Sequence, residues 1–281
     1  MKGQFKGRKF RPTKKMGQNF LINPDIPLSM IDSWKLEEGV GVLEIGPGTG
    51  ALTMPLLARG LTVVAVEKDL RLCELLAEKV NKECDRGEIR IVNEDILRLN
   101  PAESLRWDGA PKKWVLVGNL PYSISTPVFE WTIKVRDFFG WVSYMVQREY
   151  GQRILAVPRT KAYSSLTLWV GYHFMAERLL DVAADNFWPR PKVDSVVLRL
   201  TPFSKPPVVA PSAEALERVV RAGFMHRRKM LAGSLGRAFD LPRAEVENAM
   251  TAAGISITCR PEECTLAEFA ALSRALASCN E

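Results

Sequence analysis

The sequence lacks long apolar runs, is nearly without histidine and carries no paired cysteines, and each absence closes a class of function. No segment of the 281 residues approaches the ~18 consecutive apolar positions of a membrane-spanning helix. The opening MKGQFKGRKFRPTKK contains no apolar stretch of the signal-peptide kind. A soluble, cytoplasmic protein with no membrane partner is therefore expected. Cys73, Cys84, Cys259, Cys264 and Cys279 are odd in number and lack the spacing of a zinc site or redox motif, which reads as reduced thiols. His173 and His226 are the only histidines and neither has a nearby Cys or His, so no metal site is expected.

Acid is also missing from one place. Residues 1–15 carry Lys2, Lys6, Arg8, Lys9, Arg11, Lys14 and Lys15 with no Asp or Glu, so this arm accounts for the whole formal charge of +7. The rest of the chain is formally neutral. A basic arm on a neutral body suits a polyanion, because each neutralised phosphate releases counterions. A solvated tail is the plainer alternative.

What is present is a chain that is 47% apolar, long enough for one sizeable domain and a smaller one. GVGVLEIG, LTVVAVE, EIRIVNED and WVLVGN read as strands, and ALTMPLLARG and KDLRLCELLAEKVNKEC as helices between them. Strand and helix in alternation imply an α/β fold, a Rossmann-like parallel sheet with helices on both faces. Ligands of such sheets bind beyond the carboxyl ends of the strands, which points to the segments after Ile45, Val66, Val92 and Val117. VDSVVLRL reads as a later strand. TPFSKPPVVAPSA is the best linker, and the three helix-patterned stretches beyond it form a small all-α domain. The expected division is an arm at 1–15, a sheet domain at 16–205 and a helical domain at 206–281.

In EIGPGTG, Gly46, Gly48 and Gly50 bring bare backbone toward a ligand at a strand-to-helix turn. Glu67 ends the next strand about twenty residues on, where an acid binds ribose hydroxyls. The pair indicates an adenosine-containing cofactor. NAD and S-adenosylmethionine both suit it, but the glycine spacing does not match the dinucleotide pattern G-x-G-x-x-G. Asp95, after IRIV, suits the exocyclic amine of a cofactor adenine or, equally, a helix cap before ILRL.

Asn119 closes WVLVGN at the same rim and is followed by Leu120, Pro121 and Tyr122. Asn and Pro in this order suit a tight turn. They also suit an adenine N6 amine, whose lone pair is delocalised into the ring. The Asn119 side-chain oxygen and the Leu120 backbone carbonyl, accepting its two N–H hydrogens, would favour a pyramidal nitrogen able to attack a sulfonium methyl. Position and electrostatics then suffice. Tyr122 offers a face for an extruded base, a contact worth roughly 1–3 kcal/mol. Phe187, before the Pro-x-Pro of NFWPRPKVDS, would close the other side, with Trp188 the competing choice.

Taken in order, MGQNFL, EIGPGTGALT, VEKD, NED, GNLPYSIS, FWPRPKVDS and HRRKML resemble the ribosomal RNA adenine N6,N6-dimethyltransferase family over roughly residues 14–240. The likeness is greatest to its bacterial small-subunit branch, whose members dimethylate two adjacent adenines in a hairpin near the 3′ end of 16S rRNA. The resemblance implies S-adenosylmethionine as cofactor, with Asn19, Leu21, Gly46, Gly48, Glu67, Asp95 and Asn119 binding it. It implies that Tyr122 and Phe187 sandwich the target base, and that Lys14, Lys15, Arg227, Arg228 and Lys229 grip RNA. It further implies a monomer acting on the small ribosomal subunit, with a part in its biogenesis. Ser123 stands where the family usually has Asn, and PRTKAYSSLT departs from the glycine-rich family pattern. Rival readings are the related large-subunit methyltransferase that confers macrolide resistance, and a descendant that serves mainly in ribosome assembly or nucleic-acid binding.

Overall fold

The computed structural model describes residues 17–227 and 229–277. The chain divides into two compact units, residues 1–151 with 177–202 and residues 152–176 with 203–281.

In the first unit the apolar runs form the expected strands. After a short β1 (Phe20–Leu21) and helix α1 (Asp25–Trp34) come β2 (Gly41–Ile45), α2 (Thr53–Ala58), β3 (Thr62–Glu67), α3 (Leu70–Lys79), α4 (Asn81–Asp85), β4 (Ile89–Asn93), α5 (Pro101–Ser104), β5 (Trp114–Asn119), α6 (Ser125–Val135), β6 (Phe139–Gln147) and α7 (Arg148–Ile154). KDLRLCELLAEKVNKEC is thus two helices. Asp69 caps the first by accepting from Arg71 N at 3.2 Å, and it ends at Val80, whose φ of −114° is not helical.

Helix α8 (Ser165–His173), β7 (Phe174–Val182), β8 (Phe187–Trp188) and β9 (Ser195–Pro202) follow. Seven strands make one sheet in the order β4-β3-β2-β5-β6-β9-β7. Strands β2 to β6 pair in parallel, whereas β9 runs antiparallel to β6 with Ser195 opposite Gln147. The sheet is therefore mixed, where the strand-helix alternation alone implied a parallel one. All five residues of β2 are buried, as in a central strand covered on both faces. Val42, Val63, Ala65, Val115 and Val117 alternate onto one apolar core with Met30, Trp34 and Leu56.

The second unit holds α9 (Ala213–Phe224), α10 (Leu231–Phe239), α11 (Arg243–Ala252) and α12 (Leu266–Ala277). It also takes in residues 152–176, which the sequence reading left with the sheet. The reason is burial: Tyr163, Leu168 and Tyr172 join the same apolar cluster as Leu216, Leu231 and Phe269, and the Tyr163 hydroxyl donates to the Cys264 carbonyl at 2.8 Å. Cys259 and Cys264 bring their sulfurs to 3.2 Å in this unit, a pairing that their five-residue spacing did not announce. Among the described residues, no helix is long and apolar enough to cross a membrane, and no cluster of three metal-ligating side chains occurs.

Candidate active site

The carboxyl ends of β2, β3, β4 and β5 open onto one cavity of about 490 Å³, within the range of cofactor sites. Its walls come from the segments after Ile45, Val66, Val92 and Val117, as the strand order requires.

The glycine loop supplies the first wall. Gly46, Gly48 and Gly50 have φ of +63°, +56° and +85°, conformations that glycine adopts without the cost a side chain would bring. A Cβ placed on Gly46 would meet no protein atom within 4 Å, so this backbone lies bare toward open space. Gly48 differs, since a Cβ there would lie 3.1 Å from the ring of Phe20.

Two acids line the next wall. Glu67 is buried and accepts from Gly48 N at 3.3 Å and Asp69 N at 2.9 Å. Burial raises its pKa above the ordinary carboxylate value, partly offset by these bonds. Asp95 does what the cap reading required, accepting from Leu97 N at 3.1 Å, and its other oxygen pairs with Lys68 Nζ at 2.7 Å. Burial acts to raise its pKa, but the Lys68 bond, the Leu97 N–H and nearby cations lower it overall. Asp95 is also part of the cavity wall.

Glu44 is a wall residue that the sequence reading passed over. It is 1% exposed, its Oε2 accepts from Thr53 Oγ1 at 2.7 Å, and burial pushes its pKa up to about 7. The signal was an acid inside the otherwise apolar GVGVLEIG.

Residues 17–21 cross the mouth of these strands as a strap. Gln18 Nε2 donates to Asp69 Oδ2 at 3.3 Å, and Asn119 Nδ2 donates to the Asn19 carbonyl at 3.2 Å. Phe20 pairs with Trp188 and Leu21 with Phe187, so β1 and β8 form a two-stranded ribbon. Asn19 and Leu21 both face the cavity, as do Leu120, Tyr122 and Ser123. Leu120 is anchored by its N–H to the Met145 carbonyl at 3.1 Å. Tyr122 is half-buried with its hydroxyl 3.0 Å from Ser195 Oγ. Burial raises its pKa and the Ser195 bond opposes that rise. Ser123 Oγ lies 3.5 Å from where a Cβ on Gly17 would stand, so the small side chain at this position lies close beside the strap.

Phe187 does not stand opposite Tyr122. It is 3% exposed, belongs to the apolar core with Val182 and Val197, and is absent from the cavity wall, as is Trp188. In β8 it is paired with Leu21 of the strap.

In the second unit Arg227 donates to the carbonyls of Lys161 at 2.7 Å and Thr160 at 3.0 Å and lies 3.7 Å from Glu262. That guanidinium braces its own unit. Lys229 is exposed. Lys14, Lys15 and Arg228 lie outside the described residues, as does the whole arm at 1–15.

A predominantly parallel sheet with a glycine turn after its first central strand, an acid ending the second and an Asn-Leu-Pro-Tyr rim after β5 defines a Rossmann-like S-adenosylmethionine-dependent methyltransferase. Residues 9–278 match the family model for ribosomal RNA adenine dimethylase. The chain belongs to the ribosomal RNA adenine dimethylase family.

It is 37% identical over 272 residues to ribosomal RNA small subunit methyltransferase A of Geobacter metallireducens, covering 96% of this chain and 98% of the relative. It is 38% identical over 269 residues to the protein of the same name from Geobacillus thermodenitrificans, covering 94% and 90%. Among solved structures, the 23S rRNA methyltransferase ErmE is similar at a TM-score of 0.68 and 28% identity, over 92% of this chain and 99% of that one. A dimethyladenosine transferase from Plasmodium falciparum matches in fold at a TM-score of 0.71 and 24% identity, over 90% and 95%.

Proposed function

We propose that this chain dimethylates the N6 amines of two adjacent adenosines in the 3′-terminal hairpin of small-subunit (16S) rRNA and takes part in small-subunit biogenesis. The observation that carries the choice of RNA is the 37–38% identity, over nearly the full length of both chains, to small-subunit methyltransferases, against 28% to a 23S enzyme.

The residues of the cavity suit the cofactor: bare backbone at Gly46, a buried acceptor at Glu67 for ribose hydroxyls and a carboxylate at Asp95 for an adenine amine. Gly48 N holds Glu67 in place, and Asn19 and Leu21 in the strap cover the same space. Bound S-adenosylmethionine supplies an electrophilic sulfonium methyl. The chain's own part is to position and to accept. With Nδ2 engaged by Asn19, the Oδ1 of Asn119 is the atom left to accept an N–H of the target amine, and the Leu120 carbonyl accepts the other. Both bonds favour a pyramidal nitrogen whose lone pair points at the methyl. Tyr122 provides a stacking face for the extruded base. Lys229, with Lys14, Lys15 and Arg228, contacts the rRNA backbone. Arg227 supports that surface by fixing the 160–161 loop. A monomer acting on the small ribosomal subunit in the cytoplasm completes this reading.

The test is incubation with tritiated S-adenosylmethionine and either immature small subunits or large-subunit RNA, followed by primer-extension mapping. Label at two adjacent adenosines of the 3′ hairpin is expected. Label confined to large-subunit RNA would overturn the assignment, and binding to immature subunits without transfer would favour an assembly factor.

A further inference from the structure

The stretch PKVDS ends where β9 begins, and nothing above assigns Ser195 a role in the reaction. Because β9 runs antiparallel to β6, its first residue lies beside the carboxyl end of that strand, with Ser195 opposite Gln147. The antiparallel strand thus brings its beginning to the rim where the parallel strands bring their ends. Ser195 is 0% exposed and does not line the cavity. Its hydroxyl lies 3.0 Å from the hydroxyl of Tyr122, which does.

The neighbouring residue holds this end of β9 independently of Tyr122. Asp194 accepts from Ala184 N at 2.9 Å, pairs with Arg148 at 3.1 Å, and its carbonyl accepts from Arg148 N at 2.9 Å. In the sheet order β5-β6-β9, Tyr122 therefore reaches from the rim of β5 past β6 to a fixed point on β9. The hydroxyl oxygen of a tyrosine lies on the axis of its Cβ–Cγ bond, so holding it fixes χ1 and the place of the ring, while rotation about that axis stays free.

We propose that Ser195 is the positioning residue that fixes χ1 of Tyr122 and so where its ring stands at the rim, and through it the place of the target adenine relative to the methyl donor. This rests on the function proposed above. An untethered ring still offers a stacking face, but an ensemble of χ1 rotamers places the N6 amine in line only part of the time, and small misplacements are costly to rate.

The test compares Ser195→Ala, Ser195→Thr, Tyr122→Phe and the double variant Ser195→Ala/Tyr122→Phe in methyl transfer to immature small subunits. Phe at position 122 keeps the face and loses the tether. We expect Ser195→Ala to lower kcat about tenfold with the affinity for S-adenosylmethionine unchanged, and Tyr122→Phe to do the same. The double variant should be no worse than either, and Ser195→Thr should restore the rate. Additive losses, or a Ser195→Ala variant as fast as the active wild type, would overturn the proposal. Wild-type protein inactive on small subunits would instead count against the function itself. For that case the Hα–Hβ couplings of Tyr122 in labelled protein, which report χ1, decide separately. They should show one rotamer in wild type and Ser195→Thr and averaged rotamers in Ser195→Ala; a χ1 as fixed in Ser195→Ala as in wild type sinks the proposal whatever the RNA assay gives.

Discussion

The side-chain amide of Asn119 donates to the backbone carbonyl of Asn19 at 3.2 Å, joining residues one hundred positions apart. One amide thereby closes the strap, and in the proposed reaction its oxygen accepts from the target amine. Asn119→Ala removes both and should lower methyl transfer by about 100-fold or more, on the scale of losing one preorganised hydrogen-bonding group. Asn119→Asp keeps an acceptor but sets a carboxylate against the Asn19 carbonyl. It should weaken S-adenosylmethionine binding by about tenfold, the cost of one broken hydrogen bond and an unpaired carbonyl. Titration calorimetry with the cofactor and tritium incorporation measure the two effects apart. Near-normal turnover in Asn119→Ala would refute the acceptor role.

Gly48→Ala combines two insults. The residue would have to hold a φ of +56°, and its methyl would meet the Phe20 ring 3.1 Å away. The left-handed conformation alone costs roughly 1–2 kcal/mol. The melting temperature should fall and cofactor affinity should fall at least tenfold as Phe20 and the strap are displaced. Gly60→Ala serves as a control, since that position has a φ of +73° with no atom within 4 Å of its Cβ: it should lower the melting temperature and leave cofactor affinity intact. Equal loss of affinity in both variants would argue against a role for the Phe20 contact.

Glu44 makes stability depend on pH. Burial raises its folded pKa to about 7 from an ordinary value of 4.5, so the folded protein binds this proton more tightly than the unfolded chain does. Its contribution is therefore fully present at acid pH, declines as pH climbs from about 4.5 to about 7, and stays level above. Glu44→Gln imitates the protonated form and keeps an acceptor for Thr53. The melting temperature of the variant should match wild type near pH 4 and exceed it at about pH 8. A difference constant across that range would mean that Glu44 does not titrate as its burial implies. Glu67, also raised, contributes to the Glu44 shift through its charge, so the comparison reads Glu44 together with that coupling.

Arg227 and Lys229 should separate cleanly. Arg227→Ala releases the carbonyls of Thr160 and Lys161 and should lower the stability of the second unit, with little change in the salt slope of RNA binding. Lys229→Ala should leave the melting temperature unchanged and reduce the slope of log affinity against log salt by about one, as for one lost phosphate contact. Filter binding at several salt concentrations, with thermal denaturation alongside, distinguishes them. The reverse pattern would move Arg227 back to the RNA surface.

Much of the first unit was legible because buried central strands announce themselves as unbroken apolar runs bounded by glycine and acid. The segments after four such runs do line the cavity. Strand direction was not legible where β9 is concerned, because it depends on how the chain returns after 152–176, and those residues turned out to bury Tyr163, Leu168 and Tyr172 in the other unit. The burial of Phe187 was not legible because a motif fixes which residue is present, whereas its packing with Val182 and Val197 is decided by the tertiary fold. Asp95 was left between two roles, and its two oxygens allow a cap to coexist with a cavity-facing ion pair. Glu44 was missed because a single acid in a strand pattern carries no spacing to read.

The strap has a consequence for the order in which the molecule is made. Residues 20 and 21 find their strand partners at 188 and 187, and Ile22 N donates to the carbonyl of Asn186 at 2.9 Å. These are among the most distant pairings in the first unit, and bringing such distant segments together carries a loop-closure cost that local helices do not bear. The glycine loop, Glu67 and Asp95 lie within about fifty residues of one another and can assemble early. The roof above them cannot form until β8 has been synthesised, so a growing chain acquires the floor of its cofactor site long before it acquires the cover.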